Sequence, residues 1–180
     1  MSMRAQLDLS ETGATWSTRS LTDLIGFLLS HHHPYTKTAL AELTPLLNKV
    51  VGVHGSQHPE LLELEKLFIE LREDMGAHLM KEENILFPYM LALESDVPPT
   101  SPFGSVAMPI RMMTMEHEHD SLILHKMREL SHHFKLPDGA CTSHTTLYNG
   151  LSELVDDLLK HIYLENTIVF PKAIEIERQL

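Results

Sequence analysis

The chain has 180 residues and a formal net charge of −11. That length suits one domain with a substantial core, and the charge argues against nucleic acid or an anionic membrane surface as partner. No apolar run approaches the roughly 20 residues of a membrane span, the stretch before Trp16 lacks a signal-peptide core, and the single Cys141 excludes an internal disulfide, so a reducing cytoplasm is the expected compartment.

Residues 1–19 show no sustained periodicity and read as an extension ahead of a domain spanning 20–180. Ser20-Leu-Thr-Asp23 fits a capping box, and the pattern is helical from Leu21 to about Val53, with Leu29, His33, Leu40, Leu43, Leu47 and Val50 on one stripe. Pro34 and Pro45 are expected to bend or break this helix. After a loop at 54–59, a second helix runs to about Leu93. Its stripe is Leu64, Leu67, Leu71, Met75, His78, Glu82 and Ile85, in steps of three and four. Pro88 should disturb its last turns. A proline-rich loop over 94–109 separates two halves. The third helix is expected over about 110–134, with Met112, Met115, His119, Leu122 and Ile123 on its inner face and the methionines filling core gaps. The fourth runs from about Thr142 to Ile176 on Leu147, Leu151, Leu154, Leu158, His161, Glu165 and Ile168. No alternating strand pattern competes. The expected fold is all-α, an antiparallel up-down four-helix bundle.

One stretch occurs twice. His78-Leu-Met-Lys-Glu-Glu-Asn-Ile-Leu-Phe-Pro88 matches His161-Ile-Tyr-Leu-Glu-Asn-Thr-Ile-Val-Phe-Pro171 at His, Glu, Ile, Phe and Pro, always 83 residues apart. Residues four apart on a helix leave the same face, one turn apart. Each copy therefore puts a histidine and a glutamate together on its apolar stripe. A buried carboxylate without a partner is costly, and a metal ion supplies one. The two pairs offer His78, Glu82, His161 and Glu165. In the third helix His117 and His119 lie about 160° apart around the axis, and the Met112–Met115–Leu122 face selects His119. In the first helix His31, His32 and His33 compete: Leu24, Leu28 and Tyr35 define a stripe through His31 or His32, Leu29 and Leu40 support His33, and the 45-residue spacing of His33 to His78, beside the 42 from His119 to His161, adds a little to it. Four imidazoles and two shared carboxylates suit iron, with manganese or zinc as alternatives. Zinc-finger and zinc-protease patterns are absent. His58, His125, His132, His133 and His144 have no stripe support and read as surface or loop residues.

With these motifs, together with Ser30-His-His-His33, Pro109-Ile-Arg-Met-Met113, Glu118-His-Asp120 and Gly139-Ala-Cys141, the sequence resembles the hemerythrin-like (HHE) domain over residues 20–175. The nearest resemblance is to the RIC, or YtfE/ScdA, group of di-iron proteins that repair iron–sulfur clusters. The resemblance implies two non-haem iron ions, oxo- and carboxylate-bridged, on His33, His78, Glu82, His119, His161 and Glu165. It also implies nitric oxide or oxygen as small ligand and damaged iron–sulfur proteins as partners, in the nitrosative and oxidative stress response. A di-iron redox activity toward nitric oxide or peroxide would fit such a centre. The group's additional histidine maps to His54, outside the iron shell. Its N-terminal cysteine-pair domain has no counterpart before Leu21, so the expectation is a member lacking that domain. Reversible oxygen binding or sensing is the competing function, and it would favour a fifth histidine, from His54 or His117. The Glu-x-x-His pairs of ferritin-like oxidases run in the opposite order.

Overall fold

The computed structural model describes residues 16–95 and 99–180; residues 1–15 of the expected extension and 96–98 of the long loop lie outside them. Among the described residues the architecture is four helical rods and no strand. The first rod is α1 (Leu21–Phe27), a π-helical turn (Leu28–His32) and α2 (His33–His54). The second is α3 (Glu60–Lys81), a π turn (Glu82–Leu86) and α4 (Phe87–Leu93). The third is the unbroken α5 (Ala107–Leu130). The fourth is α6 (Thr142–Leu164), a π turn (Glu165–Val169) and α7 (Phe170–Gln179). In the main body α2 packs on α6 and α3, and α5 packs on α3 and α6, so the rods form a closed square.

Proline explains where three rods change winding. Pro34, Pro88 and Pro171 each stand second in the α-helical segment that follows a π turn. A proline offers no N–H and pushes away the carbonyl four residues back. The wider π turn accommodates that loss without breaking the rod. Pro45 lies inside α2, and the helix continues through it. The turns also alter which side chains face inward. Beyond Glu82 and Glu165 the buried residues are Leu86 and Val169, while Ile85 is 51% exposed and Ile168 only partly buried.

Two hydrophobic clusters fill the bundle. One surrounds Leu47, Leu64, Phe68, Leu71, Leu151 and Leu154. The other surrounds Leu24, Leu28, Phe87, Met90, Ile110 and Phe170, and Trp16 packs into it from ahead of α1. Two carboxylates hold this second end. Glu94 accepts the backbone N–H groups of Leu21 at 2.7 Å and Thr22 at 2.9 Å, and Glu177 accepts that of Val106 at 2.8 Å and the Tyr89 hydroxyl at 2.7 Å. Both place a negative charge at a helix start, where the exposed N–H groups need an acceptor. Ser20 completes the first cap by accepting the Asp23 N–H at 2.9 Å, as its capping pattern predicts.

Candidate metal centre

A layer of buried polar side chains lies at the level of the three π turns. His33, His78, His117 and His161 are each 1% exposed, and Glu82 and Glu165 are fully buried. The two glutamates open their π turns, and His33 follows directly on the first rod's. The side chains fall into two overlapping groups whose donor atoms lie within 4.8 Å of one another. One is His33, Glu82, His161 and Glu165; the other is His78, Glu82, His117 and Glu165. Both glutamates belong to both groups.

The contacts inside the layer are short but poorly aligned for hydrogen bonds. His161 Nε2 lies 2.9 Å from Glu165 Oε1, His117 Nε2 3.2 Å from Glu165 Oε2, His78 Nε2 3.3 Å from Glu82 Oε1 and His33 Nε2 3.5 Å from Glu82 Oε2. All four carboxylate oxygens, and the Nε2 atoms of His33 and His161, are buried without a hydrogen-bond partner. The Nε2 atoms of His78 and His117 approach to 3.0 Å. Buried polar atoms left unpartnered in such number cost several kcal/mol in all. Cations held between them would remove that cost, and the two overlapping donor groups fit a pair of metal ions.

The outer ring nitrogens show the same orientation. His33 Nδ1 meets Glu83 Oε1, His78 Nδ1 meets Glu116 Oε2 and His117 Nδ1 meets Asn166 Oδ1, each at 2.9 Å. Each acceptor favours a proton on Nδ1 and turns Nε2 inward, the arrangement that orients metal-bound histidines. Lys37 holds Glu83 in turn, at 2.6 Å, and Lys81 holds Glu116. His161 Nδ1 has no such partner.

The acids and bases of the layer shift one another strongly. Burial works against a charged His78, but Glu82, then Glu165 and Glu116, outweigh it and raise its pKa to about 9. His161 is also raised: Glu165 and Glu82 overcome its burial. Burial and the facing His161 lower His33 to about 4. Burial and the neighbouring Glu165 push Glu82 up, while His161 and His117 overcome burial and keep Glu165 well below the ordinary carboxylate range. Cations entering the layer would displace the proton on His78.

The family comparison gives this geometry its setting. Residues 25–173 match the hemerythrin HHE cation binding domain. The chain belongs to that family. Among the relatives of this hemerythrin-family chain is a probable iron–sulfur cluster repair protein of Haemophilus influenzae, 34% identical over 163 residues that cover 88% of this chain and 68% of that protein. Another is the iron–sulfur cluster repair protein YtfE of Escherichia coli O81, 34% identical over 160 residues, covering 88% and 69%. A third is YtfE of Citrobacter koseri, 33% identical over 171 residues, covering 94% and 74%.

Five of the six expected ligand residues, His33, His78, Glu82, His161 and Glu165, meet in this layer. His119 does not. Its side chain is 55% exposed, on the outer face of α5, with Nε2 3.1 Å from Glu70 and 3.5 Å from Asp74. His117 occupies the inner position. The expected inner face of α5 is its outer one: Met112, Met115 and Leu122 are 55%, 55% and 60% exposed. The methionines line a surface cleft of about 370 Å³ with His119, Glu116 and Asp120 rather than filling the core. The buried stripe is Ile110, Met113, His117, Asp120, Leu124 and Met127, and its clean steps of three and four were visible in the sequence. So was the spacing: His117 precedes His161 by 44 residues, nearer the 45 between His33 and His78 than the 42 from His119. His32 is also buried, its Nδ1 3.0 Å from Asp157 and its ring stacked on that of His161. His144, expected at the surface, is 1% exposed.

Proposed function

We propose that this chain is a non-haem di-iron protein acting in the repair of iron–sulfur clusters damaged by nitrosative or oxidative stress. The observation that carries the reading is the sharing of Glu82 and Glu165 by both buried groups. One ion would take His33 and His161, the other His78 and His117, and the two carboxylates would bridge them. With two histidines and two carboxylate oxygens on each ion, an iron that accepts up to six donors keeps open positions. With irons bound, the centre supplies electrons and a place for a diatomic such as nitric oxide or oxygen.

The chain's own residues prepare the site. Glu83, Glu116 and Asn166 orient the imidazoles through Nδ1. The apolar clusters on either side shield the layer from bulk water, which strengthens its electrostatic interactions. The relatives' names supply the client class, iron–sulfur proteins. Reversible oxygen carriage would favour a fifth histidine in the shell. Among the described residues neither group contains one: His117 is one of the four, and His54 is about 31 Å along the rod from His33.

The test is metal analysis of anaerobically purified protein, with optical spectra before and after nitric oxide, and a repair assay on a nitric-oxide-damaged iron–sulfur enzyme. About two irons per chain, a spectrum altered by nitric oxide and recovery of the damaged enzyme are expected from two shared-carboxylate ions. Stoichiometric zinc, or loading with no repair, would overturn the assignment.

A further inference from the structure

The opposite end of the bundle holds a second convergence of metal-binding side chains. His54 ends α2, His58 lies in the loop that follows, and Cys141 and His144 stand at the start of α6. His54 Nε2 lies 3.2 Å from Cys141 Sγ. The ring of His144 is 5.6 Å from that of His54 and 6.0 Å from that of His58, and the His54 and His58 rings are 6.5 Å apart. His144 is 1% exposed, and its buried Nε2 has no partner. Its position among these rings leaves that nitrogen without the acceptor or donor that burial demands.

We propose that His54, His58, His144 and Cys141 form a second metal site, closed and structural, for a thiophilic divalent ion of the zinc type. Three imidazole nitrogens and one thiolate are a complete tetrahedral set for such an ion. In a tetrahedral site with zinc-like bond lengths, nitrogen and sulfur donors stand roughly 3.5 Å apart and imidazole centroids roughly 5 Å apart. The His54–Cys141 contact already has that scale. The rings are spread about 1 Å wider, so binding draws them inward, with the thiol proton released to solvent. His58 Nδ1 meets Glu60 Oε1 at 3.0 Å, which leaves its Nε2 available as a donor. Burial and the neighbouring His54 and His58 lower the pKa of His144 and so favour the neutral, ligating form. The ion would fasten both loops of this end, tying α2, α3 and α6 where no side chain of the central layer reaches.

The probe is Co²⁺ titrated anaerobically into the iron-loaded protein. Cys141 is the single cysteine of the chain, so a thiolate-to-cobalt charge-transfer band reports this site alone, whatever the central layer contains. The expected result is about one cobalt per chain with that band and unchanged iron content, followed by bleaching on addition of one equivalent of Zn²⁺. Cys141→Ser should abolish the band, His54→Ala should weaken cobalt binding at least tenfold, and Glu60→Gln about tenfold, all with wild-type iron content and helicity. Cobalt uptake without the band, displacement of iron in proportion to cobalt, or a band unaltered in His54→Ala and His144→Gln would each overturn the proposal. Loss of central iron function in Glu165→Leu with the cobalt band retained would separate the two sites.

Discussion

The two halves of the chain contribute the same residues to the central layer in nearly the same order, yet neither half makes a binding group alone. The first supplies His33, His78 and Glu82, the second His117, His161 and Glu165. Each group pairs one histidine of the first half with one of the second: His33 with His161, and His78 with His117. The repeated His-x-x-x-Glu frame therefore interlocks across the bundle core. The halves differ around this frame. Glu83 orients His33, whereas Asn166, at the matching place in the second repeat, orients His117. Three residues beyond His33 stands Thr36; three beyond His117 stands Asp120. Both are buried with unpartnered side-chain oxygens, but only Asp120 carries an acid, its pKa raised to about 6 by burial despite the nearby His78.

The interlocking is broken most severely through a shared glutamate. On the proposed reading, Glu165→Leu should lower metal content from about two ions per chain to below one, since both ions would lose a ligand. Glu82→Leu should do the same, and loss of one ion with full retention of the other would show that the carboxylates are not shared. The next largest effect separates the faces of α5. His117→Ala should cost about one ion per chain and His119→Ala none; metal analysis of the two variants side by side gives the answer, and the reverse pattern would restore the outer histidine as ligand.

Making the halves alike gives smaller effects. Glu83→Asn copies the second half's outer contact into the first and releases Lys37. Chelator competition should show about 10-fold weaker binding of one ion, within the range for such supporting contacts. Asp120→Thr copies the first half into the second. The folded pKa of Asp120 lies above its unfolded value, so the cost of burying its charge is absent below about pH 4, grows as pH rises toward 6 and is complete above that. Denaturant unfolding of the metal-free variant should therefore show a gain of roughly 1–2 kcal/mol at pH 8 that disappears near pH 4. An equal gain at both pH values would point to packing instead of charge.

Local chemistry along the chain was enough for the four rods, the apolar stripes of the second and fourth helices, the repeated frame and five of the six central residues. These follow from helical period and from the cost of placing a glutamate on an apolar face, both properties of a single segment. Three things were settled by packing. The inner face of α5 was one: the Ile110–Met113–His117–Asp120 stripe and the 44-residue spacing point to it in the sequence, but Met112, Met115, His119 and Leu122 repeat with the same period, and the neighbours α3 and α6 determine which face is covered. The exchange of Ile85 for Leu86 and of Ile168 for Val169 as core residues was another, because a π turn before each proline changes the register that a regular helix implies. The last was the surroundings of His144: it stands three residues before Leu147 and so continues the buried stripe of α6, but only packing brings His54, His58 and Cys141, from segments distant in sequence, around it.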